Sequence, residues 1–181
     1  MTVDLRAVQA PLRERYKTDP DAARVVTSAR SVEHDPADPQ HCVVRPIEFP
    51  EVTLRSGLHA AAGGSGEVPC SGDILASAVA ICEEATIRSV AANMGVPLES
   101  VSVEVDIEWD FRGTLGVDRD VPVGAKRIEV RSKVVVAAGV NQERARRILG
   151  AAEKHCATLQ TLRTGVPVIE TSLDLSHAPA S

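Results

Sequence analysis

The longest run of apolar positions lies between residues 70 and 95, and its spacing predicts one long helix. Ser71 or Asp73 is suited to be the N-cap, and Gly95 is suited to end the helix. Positions that recur every three or four residues form one stripe of this helix: Leu75, Ala78, Val79, Cys82, Thr86, Val90 and Asn93. The pattern therefore predicts a central helix that carries a thiol near its middle.

Other faces of the same helix are also apolar, through Ala76, Ala80 and Ile81. We therefore expect the helix to be buried nearly all round, up to a charged patch that holds three residues: Glu83, Glu84 and Arg88. These charges make it a poor membrane span.

Alternation with period two predicts the strands. It is strongest over residues 101–111, where valine, isoleucine and aromatic side chains alternate with mostly acidic ones, and it returns over 127–137. Shorter strands are predicted at 22–28, 42–48, 51–55 and 166–173. The acidic row on 101–111 lacks His or Cys, so we interpret it as a solvated face and predict no metal or other cofactor.

A second long helix is predicted from Asn141, which is a good N-cap, to Gly165. Its apolar stripe includes Cys156. A weak stripe over residues 1–19 predicts an N-terminal helix, interrupted at Pro11, that docks on the body of the protein or on a second subunit.

Strands cluster in two runs instead of alternating one by one with helices, which predicts an α+β fold with antiparallel sheets. We divide the chain into a helical extension at residues 1–20, a single domain at 21–175 and a flexible tail at 176–181. With 181 residues and 44% hydrophobic content, the chain can build one sizeable core.

Composition excludes several classes of function. The net charge of -5 and the aromatic content of 2% argue against nucleic-acid binding. Charged residues break up the start of the chain, so no signal segment is expected and a cytoplasmic location is predicted. The four cysteines are far apart with no C-x-x-C pair, and a reducing compartment should keep them as thiols unless one pair is a working redox couple.

Cys82 and Cys156 are 74 positions apart, so only tertiary packing can join them. Cα atoms of facing helices approach to about 4–5.5 Å, which overlaps the roughly 4.4–6.8 Å range of disulfides. The alternative is that both thiols are core filler, because free cysteine often behaves as a small hydrophobe. We interpret Cys42 as core filler of this kind. Cys70, which precedes the central helix, is a possible third reactive thiol.

Four blocks of sequence resemble the OsmC/Ohr family of peroxide-reducing proteins. The first cysteine helix reads C-S-G-D-I-L-A-S-A-V-A-I-C, and the second reads A-E-K-H-C-A-T-L-Q-T-L-R-T-G-V-P-V. Between them, V-D-I-E-W-D-F-R-G and V-P-V-G…I-E-V match the two long strands of the family. The resemblance spans residues 70 to 169 and rests on the order and spacing of these blocks.

The resemblance implies an intertwined homodimer in which antiparallel sheets enclose two long central helices. It implies thiol-dependent reduction of organic hydroperoxides, and in some members of hydrogen peroxide. Cys82 takes the place of the peroxidatic thiol and Cys156 that of the resolving thiol. Cys82 would become a sulfenic acid, Cys156 would convert it to a disulfide, and an external dithiol would reduce the pair.

Two positions depart from the family pattern. The family commonly has a Glu ten positions before the first cysteine, where this chain has Gly72 followed by Asp73, and a Pro after the second cysteine, where it has Ala157. An arginine from an N-terminal strand activates the thiol in the family. Arg55 is our first choice for it, and Arg45 and Arg24 remain open.

Two other functions are compatible with the sequence. The chain can be a non-catalytic family member that binds a small hydrophobic ligand at the dimer interface, which the missing Glu favours. It can also be a scaffold in which Cys82 and Cys156 only fill the core. The expected partners are a second copy of the chain, the hydroperoxide and a dithiol reductant, with neither nucleic acid nor a membrane.

Overall fold

The structure is a computed structural model that describes residues 3–32 and 35–172. Its helices are α1 (Leu5–Thr18), α2 (Ser71–Met94), α3 (Phe111–Thr114), α4 (Gln142–His155) and α5 (Ala157–Thr164). Its strands are β1 (Ala29–Val32), β2 (His41–Pro46), β3 (Leu54–Gly57), β4 (Leu98–Glu108) and β5 (Arg127–Val136).

The strands form two antiparallel sheets, one of order β1-β2-β3 and one formed by β4 and β5. This confirms the predicted α+β class. Helix α2 packs against β4, α4 and α5. The apolar core lies between these elements and centres on five buried residues: Ile87, Ala91, Val96, Ile148 and Ala152.

Neither predicted residue is the N-cap of α2. Cys70 is the N-cap, so the helix begins at Ser71, one residue earlier than a cap at Ser71 would place it. The Cys70 backbone N–H donates to Asp73 Oδ2 over 2.8 Å, so Asp73 caps from the third helical position. Gly95 ends the helix as predicted, with φ of 62° in the left-handed region that glycine adopts without strain.

The prediction that α2 is buried nearly all round is wrong for the single chain. Its buried residues form one stripe with four-residue spacing: Val79, Glu83, Ile87 and Ala91. Ile81, on the opposite face, is 70% exposed. Glu83 was expected in the charged surface patch, but it is only 5% exposed because it lies on the same stripe as Val79 and Ile87.

The prediction of one helix from 141 to 165 is also wrong, because the chain bends at Cys156 and forms α4 and α5. Cys156 has ψ of 103°, outside the helical region, and serves as both the C-cap of α4 and the N-cap of α5. Two side chains of α5 tie it back to the last turn of α4. Gln160 Nε2 donates to the Glu153 carbonyl over 2.7 Å, and Arg163 pairs with the Glu153 carboxylate over 2.6 Å.

Two predicted strands are absent from the described residues, and a third ends earlier than predicted. Residues 22–28 are not a strand, since a 3₁₀ turn covers Pro20–Ala23 and pairing starts at Ala29. The strand predicted to 111 ends at Glu108, because Asp110 caps the short helix α3. No strand forms over 166–172, and the remaining residue of that predicted strand, like the tail at 176–181, lies outside the described residues.

The N-terminal helix docks on the body of the protein, as predicted. The Asn93 Nδ2 of α2 donates to Gln9 Oε1 over 2.9 Å, and Arg13 Nη2 donates to Asn93 Oδ1 over 3.1 Å. Pro11 lies within α1 without interrupting it, contrary to the prediction. None of the helices in the described ranges is long and apolar enough to cross a membrane.

Candidate functional site

Helix α5 points its N-terminus at the sulfur of Cys82. The bend at Cys156 starts a new helix there, so the first backbone N–H groups of α5 have no partner within the helix. The N–H groups of Ala157 and Thr158 and the Thr158 hydroxyl lie close enough to the Cys82 thiol to lower its pKa. The bend thus creates a set of donors that a continuous helix would not offer.

These donors decide the acidity of Cys82. Partial burial raises the pKa of its thiol, but the Thr158 hydroxyl, the Thr158 and Ala157 N–H groups and Cys156 lower the pKa more. The pKa of Cys82 therefore lies below its usual value, which favours the nucleophilic thiolate. Hydrogen bonds to the charged form and the positive end of a helix supply the effect here.

Cys156 is in the opposite state. Its side chain is fully buried, and burial raises the pKa of its thiol to about 11, with further contributions from Glu83 and Cys82. Its Sγ lies 3.6 Å from Thr158 Oγ1. The two cysteines are free thiols in contact, one disposed to ionise and the other to stay protonated.

We predict that Thr158→Val will raise the pKa of Cys82 by removing the hydroxyl donor while nearly preserving the volume of the side chain. Alkylation of Cys82 by iodoacetamide should then slow by roughly tenfold near pH 7, since one pKa unit is a tenfold change in thiolate. The alkylation rates of the wild type and the variant should converge at high pH, where Cys82 is a thiolate in both proteins. A wild-type pH profile in the variant would contradict this account of the site.

The three candidate arginines lie on or before the β1–β3 sheet and are not equivalent. Arg24 pairs with Asp21 over 2.8 Å, and Arg45 Nε donates to Thr53 Oγ1 over 3.2 Å. The Arg55 side chain is exposed on β3 and has no ion pair or hydrogen bond within the described parts of the chain. The groups that lower the pKa of Cys82 come from residues 156–158 and not from these arginines.

The other residues that the sequence singled out lie apart from the two thiols. Asp73 and Cys70 are at the start of α2, and twelve positions separate Cys70 from Cys82, which is about 18 Å of helix. Contact with Cys70 lowers the pKa of Asp73, so this carboxylate is committed to the helix cap. Cys42 is exposed on β2, contrary to the expectation that it is core.

Sequence reasoning missed Thr158 and Glu83. Thr158 matters because the helix breaks two residues before it, and no Gly or Pro marks that break. Glu83 carried a weak signal, since it lies four residues from Val79 and from Ile87. Across the described residues, no group of three or more His, Cys, Asp or Glu side chains is placed to hold a metal ion.

The chain belongs to the OsmC-like protein family, whose model matches residues 64–171. No curated protein matches the chain. Among solved structures, an OsmC-like protein from Mycoplasma pneumoniae superposes with a TM-score of 0.62 at 12% identity, covering 78% of this chain and 89% of the other.

Two further structures carry names related to peroxide resistance. One is an organic hydroperoxide resistance protein OsmC from Legionella pneumophila, with TM-score 0.57, 20% identity and coverage of 77% and 90%. The other is an organic hydroperoxide resistance protein from Elizabethkingia anophelis, with TM-score 0.60, 12% identity and coverage of 78% and 91%. At these identities the similarity establishes the fold.

Proposed function

We propose that the protein is a thiol-dependent peroxidase that reduces organic hydroperoxides through Cys82 and Cys156. The observation that carries this proposal is the contact between two free thiols whose pKa values are shifted in opposite directions. A nucleophile needs a low pKa, and a resolving thiol that stays protonated does not compete with it for the peroxide.

The proposed reaction has three balanced steps. The Cys82 thiolate attacks one oxygen of the hydroperoxide, the O–O bond breaks, and the leaving alkoxide takes up one proton from solvent, so that an alcohol and a sulfenic acid form. The Cys156 thiol then attacks the sulfenic sulfur, the S–O bond breaks, and a disulfide and water form. An external dithiol reduces this disulfide by thiol–disulfide exchange.

Intact mass after addition of one equivalent of cumene hydroperoxide tests the proposal. We expect the loss of two hydrogen atoms per chain, and peptide mapping should assign the new bond to Cys82 and Cys156. Turnover should follow with a dithiol such as dihydrolipoamide and be weaker with a monothiol. Unchanged thiols after peroxide addition would rule out this function.

We propose that the active unit is a homodimer in which each β1–β3 sheet covers the partner's α2. The single chain leaves large apolar side chains exposed on both of these elements. Ile81 is 70% exposed in the middle of α2, next to Cys82, and Phe49 and Leu54 are 57% and 39% exposed near or on the sheet. Within its own chain, helix α2 packs on β4, α4 and α5, and it packs much less on the β1–β3 sheet.

In that dimer, Arg55 is our candidate for the cation that contacts the hydroperoxide bound at Cys82. Arg55→Ala should reduce kcat/KM for cumene hydroperoxide by about 100-fold, the cost of losing one charged stabilising group in an active site. Arg24→Ala and Arg45→Ala are matched controls, since both arginines already have partners, and we expect changes below about threefold. A full effect at Arg45 with none at Arg55 would reassign the role.

A second candidate function is binding of a small hydrophobic ligand without turnover. A cavity of about 510 Å³ at the start of α2 supports it, and its apolar walls include Trp109, Phe111 and Leu58. Neither Cys82 nor Cys156 lines this cavity. Inert thiols in the mass experiment, together with quenching of the single tryptophan by an apolar ligand, would favour this function.

A further inference from the structure

Glu83 is the most unusual residue of the core. Its side chain is 5% exposed, and Oε2 is buried without a hydrogen-bond partner. Burying an unpaired carboxylate is costly, so such a group needs a reason within its surroundings. The Glu83 carboxyl group lies close enough to the Cys156 thiol to raise the pKa of that thiol, and it lines a cavity of about 750 Å³ between β5, α4 and α5.

The cations around this cavity are already paired with other carboxylates. Arg163 of α5 bonds Glu153 of α4 over 2.6 Å, and Arg127 of β5 bonds Glu129 over 2.7 Å. Lys126 lies 3.7 Å from Asp110. Glu83 is therefore left as an acceptor beside a buried thiol, with a route through the cavity to solvent.

We propose that Glu83 holds Cys156 in position as the resolving thiol and takes its proton when Cys156 attacks oxidised Cys82. This role rests on the proposed peroxidase function and deepens its second step. The Cys156 S–H bond breaks, its proton moves to the Glu83 carboxylate, and the Cys156 sulfur forms the disulfide with Cys82. The hydroxide that leaves Cys82 takes up one proton, which Glu83 supplies directly or through cavity water, so that Glu83 ends ionised.

The test follows disulfide formation in the full-length protein with two oxidants, cumene hydroperoxide and diamide. Diamide first forms a covalent adduct on Cys82, and attack by Cys156 then releases the hydrazine and forms the same disulfide. This second route needs the Cys156 proton removed but needs no sulfenic acid. If the wild-type protein forms the disulfide with diamide and not with hydroperoxide, the peroxidase function is disproved, and the diamide reaction still tests the role of Glu83.

Glu83→Gln should slow the closing step by about 100-fold at pH 7 with diamide, a typical contribution of one general base. Without an internal base, the rate should depend on spontaneous ionisation of Cys156, whose pKa burial keeps high, and should rise about tenfold per pH unit below that pKa. The wild-type rate should change much less over pH 7–9. Modification of Cys82 in the first step should keep its wild-type rate.

Glu84→Gln is the matched control. It makes the same chemical change one position along α2. Glu84 lies away from the thiols and pairs with Arg88 at a distance of 2.7 Å. We expect a wild-type rate and pH profile in that variant. Glu83→Ala provides a second arm, in which added formate should restore the closing rate in proportion to its concentration, because the cavity admits a small carboxylate.

Wild-type closing rates with an unchanged pH profile in Glu83→Gln would overturn the proposal. So would a slow Glu83→Ala protein that formate fails to rescue, since that would assign Glu83 a structural role only. If Glu83→Gln does not fold, as judged by its urea midpoint, the formate experiment on Glu83→Ala decides the question alone.

Discussion

Cys82→Ser should abolish hydroperoxide reduction, with a loss on the order of 10³-fold or more in turnover. The residue provides the nucleophile that attacks the hydroperoxide, and a serine hydroxyl does not ionise near neutral pH. Consumption of cumene hydroperoxide with excess dithiol measures the effect. Residual turnover within about tenfold of wild type would show that another thiol, such as Cys70, carries the reaction.

Cys156→Ser is the informative companion to this variant. It should keep the first step, so that Cys82 is oxidised once and its sulfenic acid can be trapped by dimedone. It should form no disulfide within the chain. An intrachain disulfide in Cys156→Ser would mean that Cys42 or Cys70 can reach Cys82.

Ile87→Ala should have the largest effect on stability, about 2–5 kcal/mol in the free energy of unfolding. Ile87 is 0% exposed at the centre of the core and packs beside Ala91 and Ile148, so the deleted atoms leave a cavity between α2 and α4. Urea unfolding under reducing conditions measures the change. A stable domain has about 5–15 kcal/mol in total, so this one substitution removes a large share.

Ile169→Ala is the control for this prediction. It deletes the same atoms from a side chain that is 80% exposed, and we expect a change within about 0.5 kcal/mol. A loss at Ile169 equal to that at Ile87 would mean that residues 165–172 are covered in the folded protein, for example by a second chain.

The departure at Ala157 has a physical consequence for the site. A proline at that position would start α5 equally well but would have no backbone N–H. Ala157 keeps this N–H, which helps to lower the pKa of Cys82. The chain thus has one more donor at its nucleophile than the usual family residue would provide.

Much of the fold could be predicted from the sequence because it depends on local periodicity. The stripe with Val79 and Ile87 predicts α2, and the alternation from Val101 to Ile107 predicts most of β4. Predictions failed where a single residue changed the local rule. Asp110 ended β4 early by capping α3, and exposed Val25 and Val26 suggested a strand that has no partner to pair with.

The candidate site was only partly predictable. Helical spacing and the resemblance selected Cys82 and Cys156, and geometry allowed them to meet. The bend at Cys156 was not visible, because the apolar stripe of α4 continues through it into α5. That bend results from packing, since Leu159 is buried on α5 while Gln160 and Arg163 hold α5 against α4.

The sequence by itself determined most of the helices and strands, the family to which the chain belongs, and which two thiols are candidates for chemistry. These properties follow from side-chain period and order, which are local. Only the tertiary structure decided that Cys82 faces a helix N-terminus and that Cys156 is buried against Glu83. A pKa depends on the groups packed around the atom, and those groups come from segments more than 70 positions apart.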